Sequence, residues 1–318
     1  MSDPLYIDNS TMRAIAECSN EAFLRYHLGY TTPEERATLR SGEAAHEALA
    51  VWFRGGSKDD ALARYAELYE EWAEENVAPV DRLSYANTSR ILSYWFETHP
   101  LTGLPFRVDP KLVEIGFAYP LVDDIIFCGR LDAVATSYED RSVYVVEHKT
   151  TGSITPHWLK NFRMDSQVSG YIWAAQNHTA QLVVGAYLNA IEFSKLPSDP
   201  SRKCKTHATP YEECGHLHAD FQLLIVQRSQ EELEEWRKTA IHLAKRYQDL
   251  VRRFPSLAEL HKVRTQGKFH GACRFCAFAD FCSVGRPMDL VTSMLVHDPW
   301  SPFDFAAGLK PETSRKKP

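Results

Sequence analysis

Residues 125–136 read IIFCGRLDAVAT, and residues 142–149 read SVYVVEHK. Both segments are rich in apolar and β-branched residues and are separated by a few polar residues that suit a turn, so they predict two consecutive β-strands. The first carries Asp132, and the second carries Glu147 and Lys149. Residues i and i+2 of a strand point to the same face, so Glu147 and Lys149 are expected to project together.

These polar residues form a candidate metal and catalytic site. If the two strands are neighbours, Asp132 and Glu147 can approach one cation, and the backbone carbonyl of His148 lies near the same place. Two carboxylates and a carbonyl are oxygen ligands that suit Mg²⁺ or Mn²⁺. Lys149 can orient or help to deprotonate an attacking water and offset negative charge in a transition state. An Asp followed by Glu-x-Lys is a loose motif, and ordinary polar residues at strand ends also produce it.

The rest of the chain supplies further strands and several helices. Apolar segments predict strands over residues 111–121, 182–191 and 217–227. Helical spacing and capping residues predict helices over residues 10–28, 33–54, 58–77, 82–98, 155–177 and 229–253. This order of elements predicts an α/β fold with a mixed central β-sheet flanked by helices, in which residues 58–98 form a helical insertion.

Composition and charge limit the class of protein. The chain has 318 residues, of which 44% are hydrophobic and 25% are charged, as in an ordinary globular protein. We recognise no membrane span and no signal peptide, so we expect a cytoplasmic protein without membrane contacts, whose cysteines are reduced or bound to metal. The net charge of −6 does not favour a nucleic-acid partner, but local charge matters more, and residues 237–268 contain nine Lys or Arg against two acids.

Two other features add to the candidate site. His46 lies on the helix predicted over residues 33–54. Gln167 and Tyr171 are spaced i, i+4 on the helix after the Glu-x-Lys strand, so they share one helix face and can hydrogen-bond a phosphate or a base. Each feature alone also fits a structural role, since a lone helical His is more often a core or surface residue than a ligand.

Taken in order, these residues resemble the RecB-like nucleases of the PD-(D/E)XK superfamily. The family pattern is a His, then GxxD, then ExK, then QxxxY. Here it is matched by His46, Gly129-Arg130-Leu131-Asp132, Glu147-His148-Lys149, and Gln167 through Tyr171. The resemblance covers about residues 10–285. It implies a restriction-endonuclease-like core, with a single nuclease domain over residues 1–285 and a C-terminal tail over 286–318.

The resemblance also implies a role for each residue. The catalytic residues would be Asp132, Glu147 and Lys149, the metal ligands His46, Asp132, Glu147 and His148, and the substrate-binding residues Gln167 and Tyr171. Glu114 matches an acidic position on the family's first strand, with either a direct role or a nearby hydrogen bond. His46 as a ligand favours Mn²⁺ over Mg²⁺. The implied activity is that of a metal-dependent deoxyribonuclease, an exonuclease more than a site-specific endonuclease, acting on single-stranded DNA or DNA ends.

A cysteine-rich segment over residues 271–283 contains Cys273, Cys276 and Cys282. Three close cysteines need a fourth ligand, and their spacing fits either zinc or an iron–sulfur cluster. Here the resemblance extends to AddB-type nucleases and CRISPR-associated single-strand exonucleases, which place one Cys before the nuclease core and three after it. It implies a structural [4Fe-4S] cluster held by Cys18 and these three residues, as a C-terminal clip.

Several alternatives remain open from the sequence. The chain can instead be a non-catalytic DNA-binding or partner-docking subunit, a zinc-stabilised nucleic-acid-binding protein, or a nuclease acting on RNA. A protein partner in a recombination, replication or CRISPR-adaptation complex is compatible with the resemblance. A second set of possible metal ligands lies between two predicted strands and fits either a loop or a zinc site: Cys204, His207, Cys214, His216 and His218. Cys128 is expected to be a buried strand residue. Phe162, Tyr171 and Trp173 are candidates for stacking on unpaired bases, although Trp173 is first interpreted as a core residue.

Overall fold

The computed structural model describes residues 4–34, 36–194, 203, 208–210 and 219–301. Within these ranges the chain forms two compact units. The first unit contains the described parts of residues 1–35, 116–130 and 229–318, and the second contains those of residues 36–115 and 131–228.

The elements are numbered along the chain. The strands are β1 (Leu5–Ile7), β2 (Tyr30–Thr31), β3 (Phe106–Val122), β4 (Ile125–Ser137), β5 (Val143–Thr151), β6 (Val183–Glu192), β7 (Phe221–Gln227) and β8 (Val296–His297). The helices are α1 (Asn9–Glu17), α2 (Ser19–Ala22), α3 (Ala37–Phe53), α4 (Lys58–Asn76), α5 (Tyr85–Thr98), α6 (Pro156–Asn161), α7 (Ser166–Thr179), α8 (Gln230–Arg253), α9 (Ala279–Ser283) and α10 (Val291–Met294).

The second unit is built on a mixed sheet with the strand order β4-β5-β6-β7. The pairs β4–β5 and β6–β7 are antiparallel, whereas β5 and β6 are parallel. Helix α3 packs against β5, and α7 packs against β5 and β6. The prediction of an α/β fold with a mixed central sheet flanked by helices is confirmed. Strand β3, which pairs with β4, was also predicted, over the shorter range 111–121.

Helices α3, α4 and α5 form the main core of the second unit together with one face of the sheet. The small side chains of Ala44, Ala45 and Ala48 let α3 approach its neighbours closely. Residues 58–98 contain α4 and α5, whose buried aromatic side chains fill this core. The buried tyrosine hydroxyls are satisfied: Tyr65 donates to Thr88 Oγ1 at 2.7 Å. An unpaired buried hydroxyl would destabilise the core.

The first unit joins segments that are distant in the sequence. Strand β1 runs parallel to the start of β4, and α1 and α2 pack against α8. Helix α8 begins with the predicted capping box, in which Ser229 and Glu232 each accept the backbone N–H of the other. Strand β8 pairs with β2, so the chain beyond residue 286 contributes ordered structure to this unit. None of the helices in the described ranges is both long enough and apolar enough to cross a membrane.

Three predicted helices differ from those observed. The helix predicted over 10–28 is interrupted at Cys18, whose extended backbone (φ −154°) separates α1 from α2. The helix predicted over 155–177 is two helices, because the side chain of Asp165 accepts the backbone N–H of Val168 and so caps a new start. Helix α3 begins at Ala37, not near Pro33, which lies outside any helix. Of the strand predicted over 217–227, the structure describes residues 219–227, and β7 begins at Phe221.

Candidate active site

The two strands that carry the acidic residues are direct neighbours. In the antiparallel register of β4 and β5, Ala133 lies opposite Val146. Extending this register by one position places Asp132 opposite Glu147. The backbone N–H of His148 donates to Asp132 Oδ2 at 2.7 Å, which fixes the Asp132 carboxylate at this crossing of the strands. Asp132 and Glu147 are 7% and 2% exposed, so their charges must be balanced within the protein or by a bound cation.

A histidine and a third carboxylate lie beside Asp132. Nδ1 of His46, from α3, is 3.1 Å from Asp132 Oδ1. His46, Glu114 and Asp132 each offer one potential ligand atom, and these three atoms lie within 4.8 Å of one another. The sequence left the role of Glu114 open, and the structure places it in the candidate metal site. Its acidic position on the first long strand was the only signal in the sequence.

Glu114 adopts an unusual backbone conformation, with φ of 57°. The left-handed region is sterically unfavourable for residues with a Cβ and is occupied mainly by glycine. Non-glycine residues in this region often occur at functional sites, where the surrounding structure holds them in place. The strained backbone therefore directs the Glu114 carboxylate into the group that it forms with His46 and Asp132.

A chain of hydrogen bonds runs from Glu147 into α7. The Lys149 ammonium donates to Glu147 Oε1 at 2.5 Å and to Gln167 Oε1 at 2.8 Å. Gln167 Nε2 in turn donates to the Tyr171 hydroxyl at 3.0 Å. An ammonium has three donors, so these two contacts fix the position of Lys149 and leave a third proton for another acceptor. Gln167 and Tyr171 share one helix face, as predicted.

The side chain of His148 points to the other face of β5, as the strand alternation requires. Its ring stacks on Phe53 of α3 with 5.1 Å between ring centres, and its Nδ1 lies 3.0 Å from Asn189 Nδ2. The neutral ring accepts that N–H, and burial lowers the pKa of His148 to about 4. The His148 ring also lies edge-on to the ring of His46, with 5.8 Å between ring centres. The role of the His148 backbone carbonyl as a ligand stays a prediction.

Electrostatics hold Asp132 and His46 as an ion pair. Burial alone would raise the pKa of Asp132, but His46 and the backbone N–H of His148 favour the carboxylate more strongly, and the pKa is well below its usual range. Burial opposes a charged His46, yet the adjacent Asp132 outweighs that effect and raises the pKa of the imidazole. A negative Asp132 is the form that a metal ligand requires.

The pKa of Glu147 shifts in the opposite direction from that of Asp132, because its favourable contacts do not outweigh the effect of burial. Burial, with a further contribution from the charge of Asp132, raises the pKa of Glu147 to about 7, although Lys149 opposes this shift. Burial opposes the charged form of Lys149, but Glu147 outweighs it and raises the pKa of the ammonium. Glu147 therefore changes protonation near neutral pH, whereas Lys149 stays charged.

The donors present suit a divalent cation. Glu147 Oε2 is buried and has no hydrogen-bond partner in the part of the chain that the structure describes. A buried carboxylate oxygen without a partner is costly, and a bound cation would satisfy it. The group of His46, Glu114 and Asp132 offers an imidazole and two carboxylates, a mixed set that suits Mn²⁺ better than Mg²⁺, which prefers an all-oxygen shell. Glu147 lies outside this group, opposite Asp132 on β5.

The four cysteines highlighted by the sequence meet in the first unit. Cys18, Cys273, Cys276 and Cys282 line one cavity between α2 and the segment around α9. Asn20 Nδ2 contacts Cys282 Sγ at 3.3 Å. Burial raises the pKa of the Cys276 thiol to about 12. The topology thus brings together residues that are about 250 positions apart in the chain.

The other residues highlighted by the sequence have simpler outcomes. Cys128 is buried on β4, as predicted, and its thiol contacts the backbone oxygen of Ile7. Phe162 is buried and packs against Trp158, so it is not available to stack on bases. The possible second set of metal ligands falls outside the described residues: Cys204, His207, Cys214, His216 and His218.

Comparison with known proteins gives one family match. The PD-(D/E)XK nuclease superfamily profile matches residues 9–283. No curated protein matches the chain in sequence. Among solved structures, a candidate exonuclease from Eubacterium rectale is similar with a TM-score of 0.47 and 12% identity, covering 96% of this chain and 94% of the other. A second structure, SSO0001, is similar with a TM-score of 0.30 and 14% identity over 86% of this chain and 94% of the other.

Proposed function

Because the chain belongs to the PD-(D/E)XK nuclease superfamily, we propose that it is a metal-dependent deoxyribonuclease of the RecB-like branch. Its proposed substrates are single-stranded DNA and DNA ends, which it degrades as an exonuclease. The proposed catalytic residues are Asp132, Glu147 and Lys149, in the order along the chain that the family name describes.

The observation that carries the proposal is the arrangement around Asp132. Its two oxygens are oriented by His46 Nδ1 and by the His148 backbone N–H, while Glu147 lies opposite on β5 with one oxygen unpaired. Fixed carboxylates are what a divalent ion needs, and Glu147 Oε2 stays unsatisfied although Lys149 binds the other oxygen of the same carboxylate. We therefore assign His46, Glu114, Asp132 and Glu147 as the ligands.

The protein's own residues perform the remaining tasks. A bound divalent ion would polarise the scissile phosphate and lower the pKa of a water molecule. Lys149, held by Glu147 and Gln167, directs its third proton toward the attacking water or a phosphate oxygen. Gln167 and Tyr171 are assigned to the substrate side of the site, where they position Lys149 and can contact the sugar–phosphate backbone.

Two considerations support ends or single strands over specific duplex sites. We recognise no sequence-reading DNA-binding motif, such as a helix-turn-helix or zinc finger, in the described residues. The long helices of the described chain pack in the core or against the sheet. Without base-specific contacts, the phosphate backbone supplies most of the binding energy, and activity is expected to weaken as salt is raised.

We assign the cysteine cavity to an iron–sulfur cluster rather than zinc. Tetrahedral zinc, with Zn–S bonds of about 2.3 Å, holds its sulfurs about 3.8 Å apart. Among the described residues, no three cysteine sulfurs lie within 4.8 Å of one another. Sulfurs that line one cavity at wider spacing suit a larger inorganic core, so Cys18, Cys273, Cys276 and Cys282 are the proposed ligands of a [4Fe-4S] cluster.

Cleavage of DNA by purified protein tests the proposal. A single-stranded oligonucleotide labelled at either end is incubated with Mn²⁺, Mg²⁺ or EDTA, and circular single-stranded DNA is assayed in parallel. We expect metal-dependent cleavage of the linear strand only, because a circle has no end. Lys149→Ala should abolish cleavage, whereas Lys58→Ala, which removes an exposed lysine on α4, should leave it unchanged.

Each outcome has a definite meaning. Cleavage of the circle would replace the exonuclease assignment with an endonuclease. Cleavage that persists in Lys149→Ala would indicate a contaminant. A folded wild type that cleaves neither DNA nor RNA would contradict the proposal and support a DNA-binding or docking role for the same fold.

A further inference from the structure

The first unit contains a second feature that the candidate active site does not use. A cavity of about 440 Å³ opens at the end of α8. Its charged lining residues are Arg246, Asp249, Arg253, Lys262 and Arg264. Four cations and one carboxylate give a local charge of +3 in a protein whose net charge is −6. We call it the basic cavity.

The charge of the basic cavity is only partly neutralised. Arg253 Nε donates to Asp249 Oδ1 at 2.9 Å, and Arg246 donates to the backbone oxygen of Ile15 at 3.2 Å. Within the described part of the chain, Lys262 and Arg264 form no ion pair with a carboxylate. Local positive charge of this kind attracts anions even when the whole protein is acidic.

The wall of the cavity is held in place from behind. Arg286 Nη1 donates to the backbone oxygens of Leu260 and Val263, which brackets Lys262 between two fixed points. The backbone oxygen of Arg264 accepts the N–H of Asn20 at 3.1 Å. These bonds fix the backbone that carries the two unpaired cations, so the cavity is preformed and a ligand need not order it.

Gln266 contributes a hydrogen-bond acceptor to the cavity, a group that binding of an anion alone does not require. It lines the cavity, and its Nε2 donates to Ser19 Oγ at 2.9 Å. Its Oε1 is buried and has no hydrogen-bond partner in the described structure. This acceptor needs a donor. The ring N–H of thymine or an amino group of another base is one, whereas an inorganic phosphate dianion has none.

Two exposed aromatic side chains follow Gln266 in the sequence, one of them on the same turn. Residues Gln266–Phe269 form one 3-10 turn, so the turn that carries Gln266 also carries Phe269, which is 92% exposed. Phe275 is 79% exposed, and the Arg274 guanidinium lies 5.7 Å from its ring centre. Cations that follow a backbone, next to exposed aromatics on which bases can stack, are typical of single-strand binding surfaces.

We propose that the basic cavity binds the phosphodiester backbone of single-stranded DNA through Lys262 and Arg264, with Phe269 stacking on an unpaired base. The proposal rests on the proposed nuclease function and adds a contact with its substrate in the first unit. Duplex DNA lacks exposed base faces, so the stacking contact gives a preference for single strands.

Binding can be measured apart from cleavage. The full-length protein is titrated into a fluorescent 20-nucleotide oligo(dT) in EDTA at several KCl concentrations, and anisotropy gives Kd. Each phosphate contact to a single strand contributes about 0.7 to the slope of log affinity against log salt. Lys262→Gln with Arg264→Gln should therefore weaken binding and make the slope shallower by about 1.4. Phe269→Ala should weaken single-strand binding at least about fivefold, with little effect on a duplex.

A matched control removes two lysines of α8 that do not line the cavity. Lys238→Gln with Lys245→Gln changes the net charge equally and should leave the salt slope unchanged. An unchanged slope and Kd in the cavity variant, or an equal loss in the control, would overturn the proposal. Equal loss of duplex and single-strand binding in Phe269→Ala would overturn the stacking contact.

Failure of this proposal and failure of the nuclease function are distinguishable. Hydrolysis of bis-p-nitrophenyl phosphate, which is too small to span a DNA path, should persist in the cavity variant and disappear in Lys149→Ala. Oligo(dT) binding in EDTA should persist in Lys149→Ala. The wild type could hydrolyse the small diester and yet bind oligo(dT) no more tightly than the cavity variant. That result would contradict the cavity proposal and leave the nuclease proposal standing.

Discussion

The side-chain oxygen of Gln167 accepts a hydrogen bond from the Lys149 ammonium at 2.8 Å. The amide of the same side chain donates to Tyr171, one turn further along α7. An amide that accepts from a lysine through oxygen must present its nitrogen to an acceptor, and the tyrosine hydroxyl supplies it. Lys149 is therefore positioned by a helix as well as by its own strand.

This arrangement predicts that Gln167→Ala impairs turnover more than binding. Without the glutamine, Lys149 keeps only its bond to Glu147 and loses its fixed direction. Loss of such an outer hydrogen bond typically costs about 10- to 100-fold in activity. We expect kcat to fall in that range with KM nearly unchanged. The matched control is Asn177→Ala on the exposed side of α7, and a rise in KM alone would indicate that Gln167 binds substrate directly.

Glu114 allows its side chain and its backbone to be tested separately. Glu114→Ala and Glu114→Gly both remove the carboxylate, so both should weaken Mn²⁺ binding measured by calorimetry. Because φ is 57°, only glycine relieves the left-handed strain, and Glu114→Gly should be more stable than Glu114→Ala by about 1 kcal/mol. Chemical denaturation without metal gives this difference. Equal stability of the two variants would show that the backbone is not strained there.

The raised pKa of Glu147, about 7, predicts pH-dependent metal binding. Below that pH a cation must displace the carboxyl proton, and the raised pKa of His46 acts in the same direction. Mn²⁺ affinity should therefore increase from pH 6 to pH 8, by up to about tenfold per unit for each proton released. Glu147→Gln should flatten this dependence, and a wild-type affinity independent of pH would contradict the assignment of Glu147 as a ligand.

The raised pKa of Glu147 also affects the folding stability of the metal-free protein, which decreases as the pH rises. Folded Glu147 holds its proton more tightly than the unfolded chain, whose carboxyl has a pKa near the ordinary 4.5. Its contribution to folding is therefore present below that value and is lost as the pH rises through about 7. Mn²⁺ should raise Tm more at pH 8 than at pH 6, which a thermal denaturation series can measure.

The cysteine assignment predicts a coordinated loss of iron and stability. Cys18→Ala and Cys276→Ala should each lower the iron content and the broad absorption near about 400 nm, and should lower Tm. Cys128→Ala is the control, because Cys128 is buried on β4 away from this cavity and should leave the iron content unchanged. If anaerobically purified wild type contains zinc and no iron, the assignment of an iron–sulfur cluster is wrong and the cysteines form a zinc site.

The sequence predicted well those features that depend on local pattern. Alternation along β5 placed Glu147 and Lys149 on one face, because strand periodicity is a property of the chain itself. The helix break at Asp165 was missed, since an aspartate can cap a helix or lie within one, and the local pattern does not decide which. Pro33 gave a strong local signal for a helix start that the fold does not use.

Features that depend on distant partners could not be derived locally. Strands β1, β2 and β8 have two or three residues each, so their pairing and not their composition defines them. His46 and Glu114 approach Asp132 because α3 packs against β5 and β3 pairs with β4. Only the resemblance to a family anticipated His46. The family could not supply the basic cavity, whose cations appeared in the sequence only as a basic stretch.

The discontinuous first unit constrains when the protein can finish folding during synthesis. Cys18 leaves the ribosome 255 residues before Cys273, a delay of about 13 to 50 s at ordinary elongation rates of about 5 to 20 residues per second. Both stretches of the second unit have been synthesised by residue 228, so it can fold first. The N-terminal helices must stay without their final packing partners until α8 and the last cysteines emerge. The cavity lined by the four cysteines can therefore form only late in synthesis, and truncated products would carry a Cys18 without these neighbours.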